Sequence, residues 1–141
     1  KLATASDNAN SIGDEPFQIF QKFDDIHVAV AEKRKEGIRQ LRKLDHPPQI
    51  IVLDDAFQHR SVKPGLNILL TDYSKLYKDD LILPSGRLRE YKSGAKRADL
   101  IIVTKSPSVL SPLEIRRISQ SLNPQDYQKV FFSYINYKKA I

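Results

Sequence analysis

The sequence has no cysteine, no methionine and no tryptophan, and only 5 of its 141 residues are glycine. Without cysteine there is no disulfide framework, no thiolate metal site and no thiol nucleophile, so a reducing cytoplasm is permitted. Without methionine, even at position 1, the chain is expected to be a piece of a longer product. No apolar run approaches the ~20 residues that span a bilayer, and Lys1 to Gly13 carries Ala, Ser, Asn and Asp where a signal peptide would have an apolar centre. What is present is a 40% share of hydrophobic residues. That is enough for a buried core, which excludes disorder and collagen-like repeats, and the length suits one compact domain. The 23 Lys and Arg against 17 Asp and Glu leave a net charge of +6. Such a balance points to anionic partners: phosphates, nucleic acid or a lipid surface.

Apolar, β-branched runs alternate with amphipathic stretches, punctuated by Gly and Pro. Ile26 to Ala31 reads as a short strand, and Glu32 to Leu44 as a helix with Ile38, Leu41 and Leu44 on one side and six Lys or Arg on the other. Pro47-Pro48 ends that helix. Gln49-Ile50-Ile51-Val52-Leu53 then reads as a strand buried on both faces, stopped by Asp54-Asp55. Leu66 to Thr71, Asp99 to Thr104 and Lys129 to Ile135 are further strands. Ser111-Pro112-Leu113-Glu114 predicts a helix start with Ser as N-cap, Pro in the first position and Glu completing a capping box, the helix running to about Leu122. The alternation predicts an α/β fold, a mostly parallel sheet with flanking helices, read as a single domain over residues 1–141. In such sheets ligands gather at the carboxyl ends of the strands, so the polar residues after each apolar run are the ones to weigh.

Three segments stand out. Ile50 to Leu53 followed by Asp54-Asp55 has the pattern of a Walker B strand over residues 49–55, whose terminal carboxylate reaches the Mg2+ of a bound nucleotide. The bland alternative is two acids opening a solvated turn, but the donor-rich Gln58-His59-Arg60 follows at once. Gly13-Asp14-Glu15-Pro16 is read first as a helix start, with Asp14 as cap and Phe17, Ile19, Phe20 and Phe23 as the apolar face. A cap and a catalytic acid are not exclusive. Leu83-Pro84-Ser85-Gly86-Arg87-Leu88-Arg89-Glu90 is a Pro/Gly turn leading into two arginines, whose planar forks suit phosphate oxygens. The three histidines lack metal-site spacing: His27 falls in a predicted strand, His46 beside Pro47-Pro48, and only His59 joins a polar cluster. No Gly-x-x-x-x-Gly-Lys-Ser/Thr phosphate loop occurs, since none of the glycines at 13, 37, 65, 86 and 94 precedes Lys-Ser or Lys-Thr.

Taken in order, Gly13 to Pro16, Asp54 to His59, Leu83 to Glu90 and the strand Ala98 to Val103 resemble the tetraacyldisaccharide 4'-kinases of Gram-negative bacteria, from about Leu2 to beyond Lys105. The resemblance implies part of a P-loop NTPase/kinase-like domain. It implies a parent enzyme of lipid A biosynthesis that moves the γ-phosphate of ATP, with Mg2+, to the 4'-hydroxyl of tetraacyldisaccharide 1-phosphate. The enzyme would work peripherally at the cytoplasmic face of the inner membrane, against its anionic surface, with no nucleic acid partner. It implies Asp14 as base with Asp54 also catalytic, Glu15 and Asp55 as Mg2+ ligands, and Gln58, His59 and Arg89 as substrate contacts. The family's phosphate loop would then precede Lys1 and a partner histidine for the base would follow Ile141, so these residues alone are expected to be inactive. Ala56 stands where the family commonly has Gly, and Ser85 and Arg87 where it often has Ala and Pro.

Two other functions fit the same residues. One is a metal-dependent phosphoesterase using Asp14, Asp54, Asp55 and His59. The other is a basic α/β module that holds nucleic acid or anionic membrane through its Lys and Arg faces.

Overall fold

The computed structural model describes residues 1–136, which form two compact units. The first is Lys1–Lys63 and the second begins at Pro64.

The first unit is helical and loop-rich. Helix α1 (Ala9–Ile12) is capped by Asn8, whose side chain accepts the Ser11 amide while the Ser11 side chain returns a bond to the Asn8 amide. Helices α2 (Asp14–Lys22) and α3 (Arg34–Leu41) follow. Ile12, Gly37 and Leu41 are its buried apolar points, and Asp7 is buried beside them in the sequence order, bonded to Lys1, Thr4 and Ser11.

Three sequence expectations change here. Ile26 to Ala31 is not a strand: it makes one antiparallel bridge, Leu2 to Ala29, with Val30 N donating to Lys1 O at 2.8 Å. Its partner is a short polar terminus, too brief to extend a ladder. The helix expected over 32–44 is confined to Arg34–Leu41, since Lys33 at the cap position offers no capping side chain and Gly37 weakens the middle. The Walker B segment 49–55 also forms no strand. Ile50 is 79% and Val52 85% exposed. An apolar run becomes a strand only when a neighbour takes its backbone bonds, and none pairs with it among the described residues.

The second unit bears out the predicted α/β class. Strands β1 (Ile68–Asp72), β2 (Leu100–Thr104) and β3 (Lys129–Phe132) form a parallel sheet in the order β1-β2-β3. Central β2 is fully buried on one face only, where Ile101 and Val103 have no exposure at all, while Leu100 and Ile102 on the other face are half-buried. Helix α4 (Pro112–Leu122) connects β2 to β3 and buries Ile118 and Leu122. The Tyr73 hydroxyl donates to the Glu114 carboxylate and the Tyr77 hydroxyl to Leu122 O at 3.5 Å, fixing both ends of α4 to the segment after β1. Ser111 caps α4 as expected, accepting the Glu114 amide at 3.2 Å. The other half of the expected box is absent, because the Glu114 side chain is engaged by Tyr73 and Arg117. The opposite face of the sheet, with Ile68, Leu70 and Phe131, stays exposed.

Candidate functional site

Gly13 has φ +93°, a conformation that a residue with a Cβ adopts only under strain. It ends α1, donating its amide to Ala9 O at 2.8 Å, and opens α2, accepting the Phe17 amide at 3.1 Å. Asp14 and Glu15 are thereby the first two residues of α2, both exposed at its positive end. The expectation that Asp14 caps this helix is corrected: Gly13 holds the cap position and no side-chain bond closes the helix start. The apolar residues behind them are only partly covered, with Phe17 and Phe20 half-buried and Ile19 and Phe23 exposed.

Asp54 and Asp55 form a tight turn. Asp55 is left-handed at φ +44°, and its amide donates to Asp54 Oδ1 at 2.9 Å. A second turn follows at once, with His59 N donating to Ala56 O at 2.9 Å and Arg60 N to Gln58 O at 3.0 Å. Asp54, Asp55, Gln58 and His59 are all exposed. His59 and Ser61 border a hollow of about 370 Å3 with Lys33, Arg34, Lys35 and Arg39 of the α3 region, tempered by Glu32 and Glu36. Four cations against two acids around a histidine make a surface suited to an anion. Sequence reading placed those cations on a solvated or lipid-facing helix side; that they border His59 depends on a turn twenty residues later, which no local pattern reveals.

Arg89 belongs to the second unit, where it is exposed between two anchored neighbours. Leu88 N donates to Leu81 O at 2.9 Å, and Glu90 Oε1 accepts Arg97 Nη2 at 2.7 Å. His27 and His46 are exposed and outside these groups. Among the described residues no three His, Asp or Glu side chains gather into a metal cluster. The donor chemistry still suits Mg2+, which takes hard oxygens and commonly only one or two carboxylates, the rest coming from phosphates and water; Asp14, Glu15, Asp54 and Asp55 present such oxygens to solvent.

A profile describing tetraacyldisaccharide-1-P 4'-kinase matches residues 1–134, nearly the whole chain. The chain belongs to this kinase family. The tetraacyldisaccharide 4'-kinase of Bacteroides fragilis is 53% identical over 137 residues, covering 96% of this chain and 36% of that protein. That of Flavobacterium psychrophilum is 51% identical over 142 residues, 99% of this chain and 41% of the relative. The Porphyromonas gingivalis kinase is 44% identical over the same length. The chain thus spans 36–41% of the length of these two first-named kinases. No solved structure matches it.

One buried acid that sequence reading passed over is Asp80. It is buried, 4% exposed, at the neck of the Leu81–Leu88 loop. Its only sequence signal is a second aspartate in Lys78-Asp79-Asp80, which looks like a charged surface run.

Proposed function

We propose that the complete protein is an ATP-dependent kinase of lipid A biosynthesis that phosphorylates the 4'-hydroxyl of tetraacyldisaccharide 1-phosphate. The family match over residues 1–134 carries this reading. In the reaction the sugar oxygen bonds to the γ-phosphorus of ATP, ADP leaves, and the hydroxyl proton passes to the Asp14 carboxylate. Asp14 suits that work because its helix is not capped by a side chain, so the acid is not spent on closing α2. Asp54 accepts the Asp55 amide and so holds the left-handed turn that presents Asp55. Glu15 and Asp55 would hold Mg2+, which when bound neutralises charge on the transferring phosphate oxygens.

Gln58, His59 and Arg89 are the proposed contacts to the sugar and phosphate groups of the acceptor. The cationic surroundings of His59 support an anionic contact there. Phosphoryl transfer depends mainly on positioning and charge neutralisation, so acids for proton and metal plus cations for the acceptor are the parts required. The kinase works at the cytoplasmic face of the inner membrane, where the basic residues around α3 meet anionic lipid; among the described residues no helix is long and apolar enough to cross a membrane.

The test is transfer of labelled γ-phosphate from ATP to the disaccharide by the complete protein with Mg2+. A product labelled at the 4'-position is expected. Absence of transfer sinks the kinase reading, and phosphate release from esters without ATP would mark the phosphoesterase alternative.

A further inference from the structure

The loop that precedes Arg89 is closed by one buried carboxylate. Asp80 Oδ1 accepts the Leu81 amide at 2.8 Å and the Arg87 amide at 3.3 Å, and lies 2.9 Å from Lys75 Nζ. Its Oδ2 accepts Arg87 Nε at 3.2 Å. Both oxygens are therefore committed, and both ends of the loop Leu81–Arg87 meet on a single side chain. The backbone repeats the closure: Leu83 N donates to Leu88 O at 3.0 Å and Leu88 N to Leu81 O at 2.9 Å. Gly86 fits only because it has no side chain. A Cβ there would stand 2.2 Å from Leu81 O and 2.5 Å from Asp80 Oδ1.

The far side of Arg89 is held as firmly. Glu90 pairs with Arg97 at 2.7 Å and packs over Gly94, where a Cβ would come within 2.8 Å of the Glu90 carboxylate. Arg89 thus stands between a residue held through its backbone and one held through its side chain. Surface loops of this kind are ordinarily variable in shape, and a buried, fully bonded acid at the neck is a large commitment for a loop with no work to do, since taking a carboxylate out of water is costly unless all its partners are in place.

We propose that Asp80 is a positioning residue for the acceptor: by drawing Leu81, Lys75 and Arg87 onto one carboxylate, it fixes the backbone from which Arg89 meets the phosphorylated disaccharide. This rests on the reading of Arg89 as a substrate contact. Asp80 itself touches neither substrate nor metal. Its loss should weaken acceptor binding through Arg89 and leave the nucleotide side untouched.

The experiment is a double-mutant cycle in the complete kinase, measuring kcat and KM for both tetraacyldisaccharide 1-phosphate and ATP, with thermal midpoints recorded alongside. Arg89→Ala is expected to raise the acceptor KM about tenfold, the loss of one charge-assisted contact. Asp80→Asn is expected to raise it by a comparable factor while the ATP KM stays within about twofold. The double variant should be no worse than Arg89→Ala alone, because Asp80 acts only through that arginine. A fall in kcat with both KM values unchanged would mean only loss of folded enzyme and overturns the proposal, as does a double variant whose defect is the product of the single ones. Should Asp80→Asn fail to fold, Lys75→Met removes one cation from the same carboxylate; an unchanged acceptor KM in that variant also overturns it. If Arg89→Ala leaves the acceptor KM unaltered, the Arg89 assignment itself is wrong and the proposal falls with it, a result separable from additivity in the cycle.

Discussion

Lys105 Nζ lies 2.9 Å from Asp72 Oδ2, joining the carboxyl ends of the adjacent parallel strands β1 and β2. Lys105 is held at φ +55°, so the chain turns sharply as it leaves β2 and brings its ammonium group back over β1. Ser74 completes the arrangement, its hydroxyl and amide both donating to Asp72 Oδ1. The Ser74 hydroxyl first, then Lys105, hold the Asp72 carboxyl well below the usual carboxylate range.

Asp80 is shifted the same way, by Lys75 first and then by the Leu81 and Arg87 amides against an opposing effect of burial. For both acids the folded pKa is below the unfolded one, so the unfolded chain binds more protons between the two values and stability rises with pH there. Their contribution is complete above the unfolded value of about 4 and is lost as pH falls through the folded value. Thermal midpoints should accordingly be flat from neutrality down to about pH 5 and decline below it. Lys105→Met should lower the midpoint at low salt, and the difference should shrink at high salt because Lys105 is mostly exposed. An equal loss at all ionic strengths would contradict the electrostatic account.

Asp14→Asn and Asp55→Asn in the complete kinase are each expected to reduce phosphoryl transfer at least ~100-fold, the scale of a lost base or metal ligand. Both side chains are exposed, so the folded state should be unaffected. Near-normal turnover with either variant would remove that residue from the site.

Glycine positions separate by what surrounds them. Gly86→Ala drives a methyl into the Leu81 carbonyl and should destabilise by about 1–3 kcal/mol, the usual cost of overpacking. Gly65→Ala meets nothing within 4 Å and should be neutral or slightly stabilising. Urea unfolding of the two variants side by side is the check; equal midpoints would show that the loop relaxes freely.

Two apolar runs that look alike in sequence, 50–53 and 100–103, should respond differently to truncation. Ile101→Ala removes a fully buried side chain and is expected to cost about 2–5 kcal/mol. Val52→Ala, at 85% exposure, should change the stability of these residues little. A large loss at Val52 would mean that the segment is covered in solution.

That contrast marks how far the sequence could be read. Composition and period fixed the nature of each run but not its partners. Ile101 is a central-strand residue because Leu69 and Val130 flank it in register, and Ile51 has no such neighbours among the described residues. Local chemistry was legible wherever the partner was close along the chain: Ser111 caps α4 through a residue three positions on. It failed where partners are distant, as when Tyr73, forty-one residues away, takes the Glu114 carboxylate that would otherwise close the cap. The motif order pointed to the family without any of this, since motifs depend on residue identity rather than on tertiary contacts. His59 among the α3 cations and Asp80 at its loop neck were invisible for the opposite reason.

The joint between α1 and α2 has no slack. One glycine serves as the last position of the first helix and the opening of the second. Side chains on either side of Gly13 can change without altering this joint, whereas a change in the number of residues cannot be absorbed by a linker. An inserted or deleted residue would reach Asp14 as a rotation of about 100° around the α2 axis, turning the carboxylate away from whatever it faces. The segment from Asn8 to Glu15 acts as a fixed ruler for the acid.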